Sequence, residues 1–158
     1  MSITFAIFLA FAIGIVAGMR SMTAPAVTAW AVYSHHLNVA GTLLGFMGSR
    51  VTLIVFGVFA VGEVVADKLP NTPARTEAPG LISRILTGAL SGGCLSVTIG
   101  LSLVPGALLG AAGGIGGALA GYQWRTGLVR ALRVPDYVVA LVEDAIAIAS
   151  GLFIVSRF

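Results

Sequence analysis

Charged residues are scarce in this sequence. Only 9% of its 158 residues are Asp, Glu, Lys or Arg, whereas 58% are hydrophobic. In an average soluble domain, roughly a quarter of the residues are charged. Because so few charges cannot supply the polar surface of a soluble fold of this length, the sequence predicts a single integral membrane domain over residues 1–158.

Cysteines and basic runs are also nearly absent. Cys94 is the only cysteine, which excludes an internal disulfide and the redox or metal motifs that need two cysteines. The net charge is +3, but the basic residues form no run, so nucleic-acid binding has no support. The first eighteen residues lack the positive region of a signal peptide and are expected to stay as a transmembrane helix. No cofactor and no metal site are predicted.

Long uncharged stretches predict the membrane spans. Residues 85–124 carry no formal charge, and one crossing of a hydrocarbon core about 30 Å thick uses about 20 residues. This stretch therefore fits two helices, with a tight turn around Pro105. The sequence as a whole predicts an all-α membrane protein with about five transmembrane helices. They cover residues 3–19, 51–66, 82–103, 106–122 and 137–156.

Two short segments do not fit complete spans. Each is expected either to lie in the membrane interface or to dip into the membrane as a half-helix. Residues 22–33 contain Pro25, which is expected to break the helix, and are the better re-entrant candidate because they carry no formal charge. Residues 124–135 are basic on one side and apolar on the other. They are predicted to lie in the membrane interface, with arginines that snorkel to lipid phosphates.

The distribution of basic residues predicts an orientation. With five spans, six basic residues share the side of the amino terminus, whereas Arg20, Arg50 and Arg157 lie on the other side. This count favours a cytoplasmic amino terminus and an external carboxyl terminus. The six are Lys68, Arg75, Arg84, Arg125, Arg130 and Arg133.

A weak internal repeat links "AGMRSMT" (17–23) to "AGYQWRT" (120–126). Each ends a predicted helix and precedes a short segment and then a span with an internal glutamate, Glu63 or Glu143. With one span between them, the two units would enter the membrane in opposite directions. That is the pattern of the inverted-topology repeats of transporters. Chance similarity between glycine-rich helices is the alternative.

The fourth predicted span has a face of small residues, on which Gly113, Gly117 and Gly121 make two overlapping GxxxG steps. Small residues let helix backbones approach closely. The face therefore predicts either tight packing within the chain or a homo-oligomer in the lipid bilayer.

Charged side chains within the spans define the candidate substrate or ion site, because each costs at least about 2.5 kcal/mol near the bilayer centre. At 1.5 Å per residue, Glu143 and Asp144 lie about 10 Å into the fifth span. Arg20 is expected to bind an anion or to neutralise such a buried carboxylate. The alternatives are a structural ion pair, a snorkelling arginine and an ordinary solvated loop. The candidate residues are Arg20, Glu63, Asp67, Lys68, Arg75, Glu143 and Asp144.

Three stretches resemble the domain-of-unknown-function 4126 family of small bacterial membrane proteins. They are "GMRSMTAPAVTAWA", "GEVVADKLPNTPARTEAPGLISRILTGAL" and "PDYVVALVEDAIAIASGLFIVSRF". The resemblance covers nearly the whole chain and implies a multi-pass protein of the bacterial inner membrane. It implies no established activity and therefore assigns no catalytic residues.

Two functional hypotheses follow from these patterns. The first is a small transporter or channel, whose polar site combines buried acidic residues with Arg20. The second is a membrane-embedded enzyme or binding protein that acts on lipid phosphate headgroups near Asp67, Lys68, Arg75 and Arg84. Enzymatic activity is the less favoured, because no nucleophile stands next to a base. A structural or accessory membrane subunit is a third possibility.

Overall fold

The computed structural model describes residues 2–67, 77–132 and 134–158, and every regular element within these ranges is helical. Within them there are six α-helices and one 3-10 helix, Gly45–Gly48, which precedes the third α-helix. The α-helices are α1 Ile3–Met19, α2 Thr23–Tyr33, α3 Arg50–Ala66, α4 Ala78–Thr98, α5 Leu103–Leu132 and α6 Asp136–Val155.

Three of these helices, α4, α5 and α6, are long and apolar enough to cross a membrane. Helix α1 is a shorter apolar helix. The predicted bounds 3–19 and 51–66 match α1 and α3 to within one residue. The all-helical fold and its membrane-spanning character were therefore predicted correctly, although five complete spans are not established by helix length.

Two helices, α1 and α3, begin at a serine that caps their amino-terminal amides. The side chain of Ser2 accepts a hydrogen bond from the Phe5 amide at 3.3 Å, and that of Ser49 accepts one from the Thr52 amide at 3.0 Å. Such caps satisfy amides that have no partner within the helix. Helix α6 follows Pro135 and carries Asp136 in its first turn, where a negative charge is favoured.

Two prolines lie at helix starts instead of breaking helices. Pro25 and Pro105 are each the third residue of a helix, α2 and α5 respectively. Because the first four amides of a helix make no intrahelical bond, proline is tolerated there. The predicted break at Pro25 and the predicted turn around Pro105 were therefore wrong. The chain turns instead at residues 99–102, where Gly100 has a φ of 79°.

Helix α5 continues without interruption from Leu103 to Leu132. Thirty residues are about 45 Å of helix, which is longer than one membrane crossing needs. The separate interfacial segment predicted over 124–135 is therefore wrong as far as Leu132, because these residues extend the same helix.

Helices α1, α4 and α5 form a closely packed core. A Cβ atom at Gly110 would overlap the carbonyl oxygen of Gly88, and one at Gly14 would overlap that of Gly110. Only glycine permits this backbone contact between helices. Since Gly14 meets Gly110 and Gly18 meets Gly114, α1 and α5 run parallel, and α4 runs antiparallel to both.

Helix α2 lies inside the bundle, between α1, α3, α4 and α6. Eight of its eleven residues are buried, as a short helix at membrane depth requires. After α2, residues 41–44 line an open pocket with Val97 and residues 100–103, at the turn between α4 and α5. Helix α2 and the connection after it therefore carry the chain from one end of the bundle to the other.

This return path corrects two expectations. Helices α1, α3 and α5 all run toward one end of the bundle, so the two chain termini lie together at the opposite end, and the five-span orientation with termini on different sides was wrong. The matched stretches 17–23 and 120–126 begin on the parallel helices α1 and α5, which excludes an inverted relation between these helices.

Candidate functional site

The site begins at the break between α1 and α2. Arg20 caps α1 in an extended conformation, so that the amides of Ser21 and Met22 point away from the helix axis. Both donate to the carboxylate of Glu63 from α3, at 2.9 and 2.8 Å, and the Ser21 hydroxyl donates to it at 3.0 Å. A carboxylate thus caps the positive end of α2, where backbone amides and the helix dipole favour an anion.

Arg20 joins two further helices at the same point. Its Nη2 donates to Asp67 Oδ2 on α3 at 2.9 Å, and its Nε lies 2.5 Å from Asp144 Oδ1 on α6. The second contact is an ion pair by distance and not an aligned hydrogen bond. Only 2% of Arg20 is exposed, so one buried cation is shared by two carboxylates from different helices.

Arg125 on α5 makes the second shared contact. Its Nη1 donates to Asp67 Oδ2, the oxygen that also accepts from Arg20. Its Nε and Nη2 form a two-point contact with Asp136, and Nη1 lies 3.7 Å from Glu143 Oε2. The planar guanidinium suits such two-point pairing with a carboxylate.

Arg84 closes the third side of the site, from α4. Its Nε donates to the carbonyl oxygen of Gly18 at 3.0 Å, and its Nη1 donates to that of Gly80 at 2.9 Å. Its Nη2 lies 3.7 Å from Glu63 Oε1. Because α1 ends at Met19, the carbonyl oxygen of Gly18 accepts no hydrogen bond from a following turn of the helix. The buried Arg84 donates a hydrogen bond to it instead.

Together these side chains form one network of charges, which we call the arginine network. It contains three arginines and five carboxylates, contributed by α1, the end of α3, α4, α5 and α6. The members are Arg20, Arg84, Arg125, Glu63, Asp67, Asp136, Glu143 and Asp144.

The structure brings together five of the seven residues predicted for the site. The partner predicted for Arg20 among the α6 carboxylates was Glu143 or Asp144, and it is Asp144. Glu143 is buried and faces Arg125 instead. The placement of Arg20 on the opposite side from Asp67 was wrong, because the two are directly paired. Lys68 and Arg75 lie outside the described residues.

Three members of the network were missed as site residues. Arg125 was expected to snorkel, but only 13% of its side chain is exposed. Arg84 entered only the lipid-phosphate hypothesis, and Asp136 entered none. The helical spacing of Arg125 from Gly117 and Gly121 was a usable signal, since it continues the small-residue face of α5 toward the other helices.

The glycine face of α5 packs against α1 of the same chain. Cβ atoms at Gly113 and Gly117 would overlap the backbone of α1 at Phe11 and Ile15. Tight intrachain packing, one of the two predicted uses of this face, therefore accounts for these two glycines. A homo-oligomer stays a prediction, and it would need another surface.

Comparison with known proteins adds no relative: no family model, curated protein or solved structure matches this chain. Membership of the domain-of-unknown-function 4126 family therefore stays a prediction.

Proposed function

We propose that the protein is a small transporter or channel for an ion or a small charged solute, and that the arginine network is its working site. One observation carries the proposal: Arg20, almost fully buried, is shared between Asp67 on α3 and Asp144 on α6. A charge held between carboxylates on two different helices has two alternative partners, and exchange between them would couple a movement of the helices to the passage of an ion.

Stabilisation of the fold does not by itself explain why the protein contains such a network. Replacing a buried ion pair by apolar residues of similar volume is often neutral or stabilising, because desolvation of the charges offsets their attraction. Ionisable groups inside a membrane accordingly mark ion or substrate pathways by default. The break between α1 and α2 at Arg20 supports the same interpretation, since discontinuous helices build the sites of many transporters.

The helix lengths give the depth of the network. From Arg84 to Thr98, α4 runs fourteen residues, about 21 Å, and from Asp144 to Val155, α6 runs eleven, about 17 Å. By the same measure, Asp67 lies about 26 Å along α3 from Arg50, and Arg125 lies about 33 Å along α5 from Leu103. With the far helix ends at one surface of a core about 30 Å thick, the network extends from the other surface to about 10 Å inside it. This depth is within reach of water from that side.

The full layout is part of the proposal. Helices α1 and α3 join α4, α5 and α6 to make five spans, while α2 and residues 34–49 return the chain across the membrane. The bacterial inner membrane is the proposed location, with the arginine network toward the cytoplasm. A lipid bilayer surrounds the remaining apolar faces.

Flux into liposomes tests the function. The purified protein is reconstituted into vesicles that contain a trapped pH-sensitive dye, and a potassium diffusion potential drives proton entry. Matched vesicles report sodium, potassium and phosphate uptake with radioactive tracers. We expect flux of at least one of these ions above that of protein-free vesicles, and at least a tenfold loss in D144N, which removes one of the two charges that share Arg20.

The matched control is R157M. Arg157 is exposed at the opposite end of α6, over the ring of Phe153, and is remote from the network. This variant should retain the parent flux. Flux at the protein-free rate for all four ions, from correctly folded protein, would contradict the proposal, and so would equal flux in D144N and the parent.

A further inference from the structure

Helix α3 is attached to the rest of the protein differently from the other long helices. None of its seventeen residues, all of which are described, is buried. The side chains that face α2, such as Leu53 and Phe56, are only half-buried. A Cβ at Gly57 or Gly62 would meet no atom within 4 Å, whereas one at Gly14, Gly88 or Gly110 would overlap the backbone of a neighbouring helix.

Two carboxylates provide the firmest described attachment of α3. Glu63 accepts three hydrogen bonds from Ser21 and Met22, and Asp67, one helical turn later, pairs with Arg20 and Arg125. At the other end of α3, Arg50 donates one long bond of 3.4 Å to the Tyr33 hydroxyl. Apolar packing is thus weak along the helix, and charged contacts are concentrated at its last turn.

We propose that α3 is a lateral gate over the arginine network, held closed by Glu63 and Asp67. When these carboxylates release their partners, the carboxyl-terminal half of α3 moves away from α2. Ser21, Arg20 and Arg84 then become accessible from the side of the bundle. Helices α1, α4 and α5 stay in place, because their backbones are in contact through glycine.

The contacts explain why the gate stays closed at rest. Opening leaves the amides of Ser21 and Met22, and one side of Arg20, without the carboxylates that accept their hydrogen bonds. Each lost charge-assisted bond is costly in a dry environment. Water or a polar solute at the site replaces these bonds and lowers that cost. The inference goes beyond the transport proposal, since gate opening is measurable without any flux.

Labelling of a cysteine under α3 tests the gate. Ser21 is buried, and its hydroxyl contacts Glu63 directly, so α3 covers it. In the full chain with C94S and S21C, the rate of reaction with N-ethylmaleimide at position 21 reports opening. We expect this rate to rise at least tenfold when E63Q and D67N are added. The control R157M, which changes an exposed arginine after α6 and remote from both α3 and the arginine network, should leave the rate within twofold.

The native Cys94 separates local opening from general unfolding, because it is fully buried in α4. In a chain that keeps Cys94 and Ser21, E63Q with D67N should leave the Cys94 rate unchanged. If this double variant unfolds, D67N alone, which keeps the bonds of Glu63, should still raise the rate at position 21 two- to threefold. An unchanged rate at position 21 in folded D67N, or an equal rise at positions 21 and 94 in that variant, overturns the gate.

Discussion

Arg20 Nε on α1 and Asp144 Oδ1 on α6 lie 2.5 Å apart, so the first and last helices of the chain meet at a buried ion pair. The same arginine also donates to Asp67 at the end of α3. Three helices that are distant in sequence are therefore connected through one guanidinium. The predictions below test that connection and the packing that positions it.

The Arg20–Asp144 pair should be coupled in a thermodynamic cycle. Removing one partner of a buried pair leaves an uncompensated charge and costs about 3–5 kcal/mol, whereas removing both is less costly than the sum. R20M and D144N should each lower the thermal unfolding temperature in detergent, and the double variant should recover part of the loss. R157M with D144N is the control pair and should be additive. Additivity of R20M with D144N would show that the two residues act independently.

Arg125 should not be replaceable by lysine. Its guanidinium contacts Asp136 at two points and Asp67 at a third, a geometry that a single ammonium group cannot reproduce. R125K should lose about 1.5–3 kcal/mol of unfolding free energy, the range for a hydrogen bond to a charged group. R130K, on the exposed side of the same helix, should change stability by less than about 0.5 kcal/mol. Equal stability of R125K and the parent would refute the three-point contact.

Two glycines of α5 should respond oppositely to alanine. G110A places a Cβ against the backbone of Gly88 and should destabilise the protein by about 1–3 kcal/mol or more, through overpacking. G116A places its Cβ in open space and should be neutral or stabilising, because alanine favours helix. Thermal unfolding in detergent measures both. Similar effects of the two substitutions would mean that α4 and α5 are not in backbone contact.

Both chain termini should lie on the same face of the membrane. In the described ranges, four arginines (Arg20, Arg84, Arg125 and Arg130) are at the network end, and two (Arg50 and Arg157) are at the other. The positive-inside rule therefore places the network toward the cytoplasm and the termini outside. Epitope tags at either terminus should be cleaved by protease added to spheroplasts. A protected amino-terminal tag beside a cleaved carboxyl-terminal tag would restore the five-span orientation.

Composition and charge-free length were sufficient to predict an all-helical fold, but not every helix boundary. The bounds of α1 and α3 were predicted to within one residue, because a run of apolar residues marks the extent of each helix. Helix α5 was underestimated, because Arg125 interrupts its apolar run. In the structure, that arginine is paired with carboxylates and the helix continues beyond it.

Helix direction could not be predicted in the same way. A segment of eleven residues such as α2 is too short to count as a crossing, so the sequence gives no sign that it helps return the chain across the bundle. That one omission reversed α1 relative to the rest and separated Arg20 from Asp67 in the predicted layout. Five members of the network were nevertheless predicted from the charged residues in or next to the predicted spans. A buried charge needs a partner whatever the direction of the helices, so this prediction did not depend on the layout.

The ion pair between α1 and α6 also sets an order of events during synthesis. At about 5–20 residues per second, Asp144 is made about 6–25 s after Arg20, whereas Asp67 follows within about 2–9 s. During that interval, α3 is the element able to supply a carboxylate to the arginine at the end of α1. A chain that stops before α6 keeps Arg20 without its second carboxylate, and such an unfinished product is a natural target for the proteases that remove incompletely assembled membrane proteins.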